Sequence, residues 1–296
     1  MKKRQLLSLL GCTVLLILIF FSFSEATNRK TYIGEIVFGA RSLGLGGCSI
    51  MEKYDLETIY SNPAALALMS GDASFSISNN NQFGIQDWSE EKIAFALRQW
   101  GLIRLGFLRN SNKIKIHEET GVNLWNDTCT VSSLGIKLSD RMALGANYQR
   151  LNYTLEVEEE LKSKKINLMN VGCIYSGENI SWGLALHNWE VFNKKRQVEP
   201  SFHFGLGLHT DLIDYKVEIS NYETAIFKLR KWSASVGLEV DFAPDFVVRI
   251  GSTALDKTAN IAVGIGVSIK NVTIDYTYTT PYKIQASHHL STTYHF

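Results

Sequence analysis

One period governs this chain from residue 72 to its end. Apolar residues alternate with small, polar or charged ones in run after run. Phe202, Phe204, Leu206 and Leu208 alternate with His203, Gly205, Gly207 and His209. Trp232, Ala234, Val236, Leu238 and Val240 alternate with Ser233, Ser235, Gly237, Glu239 and Asp241. Ile180, Trp182, Leu184 and Leu186, and the run Ile261 to Ile269, repeat the pattern. A period of two is that of a strand, whose side chains point to opposite faces. Each run is one strand with an oily face and a wet face.

Length and spacing choose among all-β folds. The runs predict strands at 72–78, 91–98, 101–109, 129–138, 142–155, 165–175, 180–188, 200–209, 212–220, 231–242, 245–252, 260–269, 272–279 and 285–296. Most exceed the five or six residues usual in soluble sheets and approach the 9–11 that cross a bilayer at a tilt. Short turns at 99–101, 139–141, 177–179, 210–211, 243–245 and 270–271 alternate with longer polar links near 79–90, 110–128, 156–164, 189–199, 221–230, 253–259 and 280–284. That asymmetry belongs to outer-membrane barrels. Fourteen strands is an even number, so the last can close antiparallel on the first. Aromatics gather at strand ends: Trp100, Tyr175, Trp182, Phe242, Phe246, Tyr294 and Phe296 on the short-turn side, Phe202, Trp232, Tyr276 and Tyr278 on the other. The expected fold is an all-β transmembrane antiparallel barrel over 72–296. Leu290, Tyr294 and Phe296 share one parity, and this resembles the C-terminal assembly signal of outer-membrane barrels.

The start of the chain reads as a secretory leader. Lys2-Lys3-Arg4, an apolar stretch over 6–23 and Ser24-Glu25-Ala26 predict cleavage after residue 26. No later apolar run reaches the length of a spanning helix. The chain carries 30 Lys+Arg against 29 Asp+Glu, and 27 against 28 once Lys2, Lys3, Arg4 and Glu25 leave with the leader. Such a balance argues against nucleic acid as a partner. Cys48, Cys129 and Cys173 are an odd set at unrelated spacings with no CxxC, which predicts structural, unpaired thiols and no metal.

Residues 27–71 do not alternate. They read as a glycine-rich loop and then a short helix, with Asn62 as cap, Pro63 at the first helical position and Gly71 beyond its end. The loop lacks the Gly-Lys-Ser/Thr of a phosphate loop, so no nucleotide cofactor is expected. No Gly-x-Ser-x-Gly occurs, and no histidine pairs with Ser and Asp on sequence grounds, so no enzyme is expected. Parity places Arg98, Arg104, Lys137, His187, His203, His209, Lys216, Glu218, Glu239, Asp241, Arg249 and Asp275 on the wet face. There they pair with one another or line a polar track. Gly205, Gly207, Gly237, Gly264 and Gly266 share that face and leave room for a hatch.

The run Gly39-Ala-Arg-Ser-Leu-Gly44-Leu-Gly46-Gly47-Cys48-Ser-Ile50, followed by Asp55-x-Glu57-Thr-Ile-Tyr-Ser-Asn62-Pro63-Ala64-Ala-Leu66, resembles the opening of the PorV/PorQ family. That family is related to FadL-type outer-membrane transporters, which share an Asn-Pro-Ala hatch motif. Cys48 stands where the family usually has Ala, and Asp55-Leu56-Glu57 where it usually has two aspartates. The resemblance implies a fourteen-stranded barrel with residues 27–71 as an inward hatch. It implies a role in secretion or surface delivery of exported cargo, with the barrel assembly machinery and membrane lipids as partners. Two other readings stand beside it: a FadL-like passive channel for long-chain fatty acids or other hydrophobic molecules, and a structural or enzymatic barrel. On the channel reading Gly39, Gly44, Gly46 and Gly47 are flexible points, while Asn62, Pro63 and Ala64 set the hatch.

Overall fold

The computed structural model describes residues 39–81, 88–118, 121–157, 160–191, 200–223, 230–255, 258–280 and 286–296. The leader expected at 1–26 and the first part of the N-terminal segment lie outside these residues.

Fourteen strands follow the N-terminal segment: β1 Ser74–Asn81, β2 Trp88–Ala96, β3 Ile103–Glu118, β4 Gly121–Lys137, β5 Met142–Val157, β6 Glu160–Ser176, β7 Ile180–Glu190, β8 Ser201–His209, β9 Ile213–Glu223, β10 Arg230–Ala243, β11 Phe246–Leu255, β12 Thr258–Ile269, β13 Val272–Thr280 and β14 Ser287–His295. Each pairs with its sequence neighbours, and β1 pairs antiparallel with β14 from Ser74 opposite His295 to Asn81 opposite His288. The barrel is closed, so no strand edge is left without partners.

The faces are inverted relative to a water-soluble protein. In β1 and β2, Ser74, Ser76, Ser78, Asn80, Glu90 and Lys92 are buried, while Phe75, Ile77, Ile93 and Phe95 are exposed. The same holds around the wall, where Leu105, Leu144, Leu206, Ile219, Val263 and Ile265 face outward. A continuous apolar band on a closed barrel is the surface hydrocarbon requires, since closure satisfies every backbone amide. Exposed aromatics border the band: Trp100, Phe242, Phe246, Tyr294 and Phe296 at the short-turn end, Trp189, Phe202, Trp232 and Tyr278 at the other.

Three predicted links are corrected, the shortest being 253–259, where β11 pairs with β12 as far as Leu255 opposite Thr258. Residues 110–128 and 156–164 are mostly ladder, and β3–β4 and β5–β6 are hairpins whose strands run 16 or 17 residues. Pairing continues there after hydropathy has stopped alternating: Asn110 and Asn112 point inward while Arg109 and Lys113 point outward. With both faces polar, hydropathy no longer marks a strand, yet the ladder persists to Glu118 opposite Gly121. Arg98 is a second correction. β2 ends at Ala96, so Arg98 lies in the short turn, largely exposed, 3.6 Å from Asp72.

Val263 lies near the middle of β12 on the outward face. Val263→Arg is expected to lower barrel stability by about 2–4 kcal/mol, the cost of a cation near a bilayer midplane. Urea unfolding in lipid vesicles measures it, and an unchanged midpoint would show that this face does not meet hydrocarbon.

Candidate functional site in the barrel lumen

The segment from Gly39 to Leu68 lies inside the wall, and most of its residues are buried. Where a loop was expected, Ala40–Gly44 forms a short helix, α1. Gly46 and Gly47 follow it with φ of 69° and 87°, a left-handed turn that favours glycine. Two 3-10 turns come next, Leu56–Ile59 and Pro63–Leu68. Asp55 begins the first: its carboxylate accepts from Glu57 N and from Ser42 Oγ, each at 2.9 Å, and so ties α1 to that turn. Asn62 begins the second. Its Oδ1 accepts from Ala64 N at 3.1 Å, and its Nδ2 donates to Ile50 O at 2.6 Å and to Cys173 O on β6 at 3.1 Å. The expected Asn62 cap and Pro63 start are present, although the turn is tighter than α and ends at Leu68. Gly71, with φ of 83°, turns the chain toward β1.

Segment and wall meet at backbone distance. A Cβ placed on Gly46 would stand 2.5 Å from Ser252 N, and one on Gly237 would stand 2.5 Å from Leu45 O. Gly135 faces Ala67, Gly145 faces Pro63 and Ala64, Gly172 faces Asn62, and Gly205 faces Met51 in the same way. Gly39 leaves room for the Asp55 carboxylate, and Gly44 lies against Gly264. Gly39, Gly44 and Gly46 are thus points of close approach. Of the wall glycines picked out in sequence, Gly205, Gly237 and Gly264 face the segment; Gly207 faces Ser181, and Gly266 faces Asp275 and Arg249.

Charge fastens the two parts. Lys216 Nζ lies 2.6 Å from Glu52, which lies 3.2 Å from Arg41; Arg41 lies 2.6 Å from Glu239, Glu239 2.5 Å from Arg249, and Arg249 2.6 Å from Asp275. Burial works to raise the Glu52 carboxyl pKa, but Arg41 and Lys216 together hold it well below the usual carboxylate range. Glu218 accepts from Ser49 N at 2.7 Å and Ile50 N at 3.0 Å, and Asn147 and Asn170 donate to Tyr60 O. Arg104 donates to Met69 O at 2.8 Å. Most of the lumenal charges read from parity therefore pair with one another or with the segment.

A different surface lies under the two 3-10 turns. Leu108 on β3, Cys129 and Val131 on β4, Leu151 on β5, and Ile166 and Leu168 on β6 turn inward and pack on Leu56, Ile59, Tyr60 and Leu66. Sequence reading missed this stripe. On β4 the outward row beside Val131 is Thr130 and Ser132, so hydropathy alone assigns Val131 to the wrong face; counting back by twos from outward Leu134 and Ile136 corrects it. Glu57 is buried at the stripe's edge, takes a hydrogen bond from Ser78, and lies 3.7 Å from Lys92. Burial pushes its carboxyl up to about 7, with Asp55 and Glu90 adding to the rise and Lys92 opposing it. Cys48, Cys129 and Cys173 are free thiols.

Asn62→Ala removes two donors from buried carbonyls and a cap. It is expected to loosen residues 50–66 by about 1–3 kcal/mol, read as faster amide hydrogen exchange there while the strands keep their protection. Glu57 gives a pH signature. Its folded pKa is raised, so its stabilising contribution is full below the unfolded carboxylate pKa near 4.5 and is lost as pH rises through about 7. Protection factors for residues 56–66 should fall between pH 5 and pH 8, and Glu57→Gln should flatten that fall, as exchange measured at each pH would show.

No family model matches the chain, and no curated protein matches it in sequence. Solved structures do match in fold. The Ralstonia pickettii toluene transporter TbuX superposes with a TM-score of 0.67 at 12% identity, over 88% of this chain and 98% of that one. The CymD monoaromatic hydrocarbon channel gives 0.69 at 11% identity, over 87% and 97%. A Pseudomonas aeruginosa FadL homologue gives 0.66 at 10% identity, over 90% and 100%. The fold is that of the FadL-type barrels, and these structures add nothing to the PorV/PorQ resemblance.

Proposed function

We propose that this protein is an outer-membrane channel for hydrophobic small molecules, exported through the leader at 1–26, with residues 27–71 as its hatch. One observation carries the reading: an inward apolar stripe on β3–β6, in a lumen where many buried wall side chains are polar or charged, covered by the two 3-10 turns. A solvated interior has no use for Leu108, Val131, Leu151 and Leu168 on its wet face. Displacing the turns exposes a continuous apolar track on the wall. The fold likeness to proteins described as a toluene transporter and a monoaromatic hydrocarbon channel supports the same reading.

The secretion role implied by the opening motif draws no support from those structures, and neither does exported cargo as a partner. Leu290, Tyr294 and Phe296 are exposed on the outward face or end of the closing strand, where an assembly machinery would meet them. The surrounding lipid would cover that apolar band.

A lock on the hatch tests the proposal. A Cβ at Gly135 would stand 3.0 Å from Ala67 Cβ and 2.8 Å from Ala67 N, about half an ångström short of the usual disulfide span, so the turn must draw back by that much to admit the bridge. The Ala67→Cys/Gly135→Cys double variant should bridge the second 3-10 turn to β4. In host cells whose outer membrane lacks another route for apolar solutes, uptake of radiolabelled oleate or toluene should stop in the oxidised form and return on reduction. Equal uptake in both forms, or no uptake of either solute by the wild type, would overturn the reading.

A further inference from the structure

On the short-turn side of the hatch the lumen holds a cleft of about 380 Å3. Ser181 on β7, His209 on β8 and Asp214 on β9 line it together with Met51, Lys53 and Tyr54. The three polar side chains form one line. His209 Nε2 lies 2.8 Å from Ser181 Oγ, and His209 Nδ1 lies 3.0 Å from Asp214 Oδ1.

The ladder builds this line. His209 and Asp214 are directly paired across β8 and β9, and Ser181 is paired with Gly207, two residues before His209. A Cβ at Gly207 would overlap Ser181 Oγ and stand 3.5 Å from His209 Nε2, so only glycine leaves the serine and histidine free to meet. With Nδ1 protonated and donating to Asp214, Nε2 is left to accept the serine proton. Lys53 Nζ donates at 2.8 Å to Ser176 Oγ on the residue paired opposite Ser181, and Lys216 is paired opposite Gly207. The Lys216 charge is taken up by Glu52, so Lys53 is the ammonium on this side of the cleft that would favour charge on a carbonyl oxygen.

We propose that Ser181, His209 and Asp214 are the nucleophile, base and orienting group of an esterase site that takes short-chain carboxylic esters from the short-turn side. The cleft volume is at the small end for ligand sites, and Met51 and Tyr54 offer apolar contact for the acyl chain. Ser181 Oγ adds to the ester carbonyl carbon as its proton passes to His209 Nε2. The carbonyl–alkoxy bond breaks, and the alcohol leaves with that proton. Water then adds to the acyl group on Ser181, giving a proton to Nε2, and the carboxylic acid departs as Ser181 recovers its hydrogen. No oxidant, metal or cofactor enters the balance.

The same residue types meet a second time, which supplies a control. Ser201 Oγ lies 3.3 Å from His203 Nε2, and His203 Nδ1 lies 3.3 Å from Glu218. There the carboxylate already serves two backbone amides of the hatch, and none of the three lines the cleft.

The test uses the full chain purified from membranes in nonionic detergent, its fold verified by heat-modifiable gel migration. It is treated with a fluorophosphonate, which bonds serine Oγ to phosphorus and expels fluoride, and is assayed separately with p-nitrophenyl butyrate. The phosphonate is expected on the peptide holding Ser181. Labelling and turnover should vanish in Ser181→Ala, fall by about 100-fold or more in His209→Ala, and persist in Ser201→Ala. Labelling that Ser181→Ala does not abolish, or a folded wild type with no turnover above the detergent blank, would overturn the proposal. Neither outcome depends on solute uptake, so this site and the channel stand or fall separately.

Discussion

The N-terminal segment lies close against the barrel wall because, at the points of nearest approach, the wall residues lack side chains. Where the N-terminal segment passes the wall, the wall presents glycine. A barrel of this size leaves an interior that must be filled or flooded. Here it is filled by a strip of chain that lies closer than a Cβ would permit at glycines on β4 to β8, β10 and β11. Removing side chains from a strand costs local stability. The return is a second layer of peptide dipoles brought within hydrogen-bonding reach of wall residues such as Glu218, Asn147 and Thr253.

The charges inside follow the same economy of space. Three cations and three anions alternate from Lys216 to Asp275, and the segment supplies one of each, Arg41 and Glu52. Buried ions are costly one at a time and tolerable as a neutral chain. Because Arg41 and Glu52 sit in the middle of that chain, the segment cannot leave without taking Glu52 from Lys216 and one of the two arginines from Glu239. Exchange of partners, with Lys216 and Arg249 turning to Glu239 and Asp275, would keep the wall neutral after the segment moves. The apolar stripe on the opposite side holds the segment by burial and by hydrogen bonds from Asn147 and Asn170 to Tyr60 O, with no buried ion pair among its own side chains.

The strand count, closure and inversion of faces were legible in the sequence, because a period of two survives any tertiary context once both faces have distinct solvents. The cap at Asn62 and the start at Pro63 were legible for a local reason: each acts within two residues. The extended hairpins were hidden because strands outside hydrocarbon need no oily face. The stripe on β3–β6 was hidden because it reverses the rule that reads inward as polar. The meeting of Ser181, His209 and Asp214 was hidden for a third reason. It depends on the register across three strands, which two short turns set and no single run of residues displays.

The long hairpins give the barrel an uneven height. β3 to β6 run 16 or 17 residues, against 8 or 9 for β1, β2, β8, β13 and β14. At about 3.3 Å per residue the tall quarter of the wall outreaches the low side by roughly 20 Å or more along the strands. Among the described residues the rim of the strands is therefore cut on a slant, like the tip of a quill. If the barrel is a channel, a solute coming from that end would pass the tall strands on the side that carries the apolar stripe and short strands on the other.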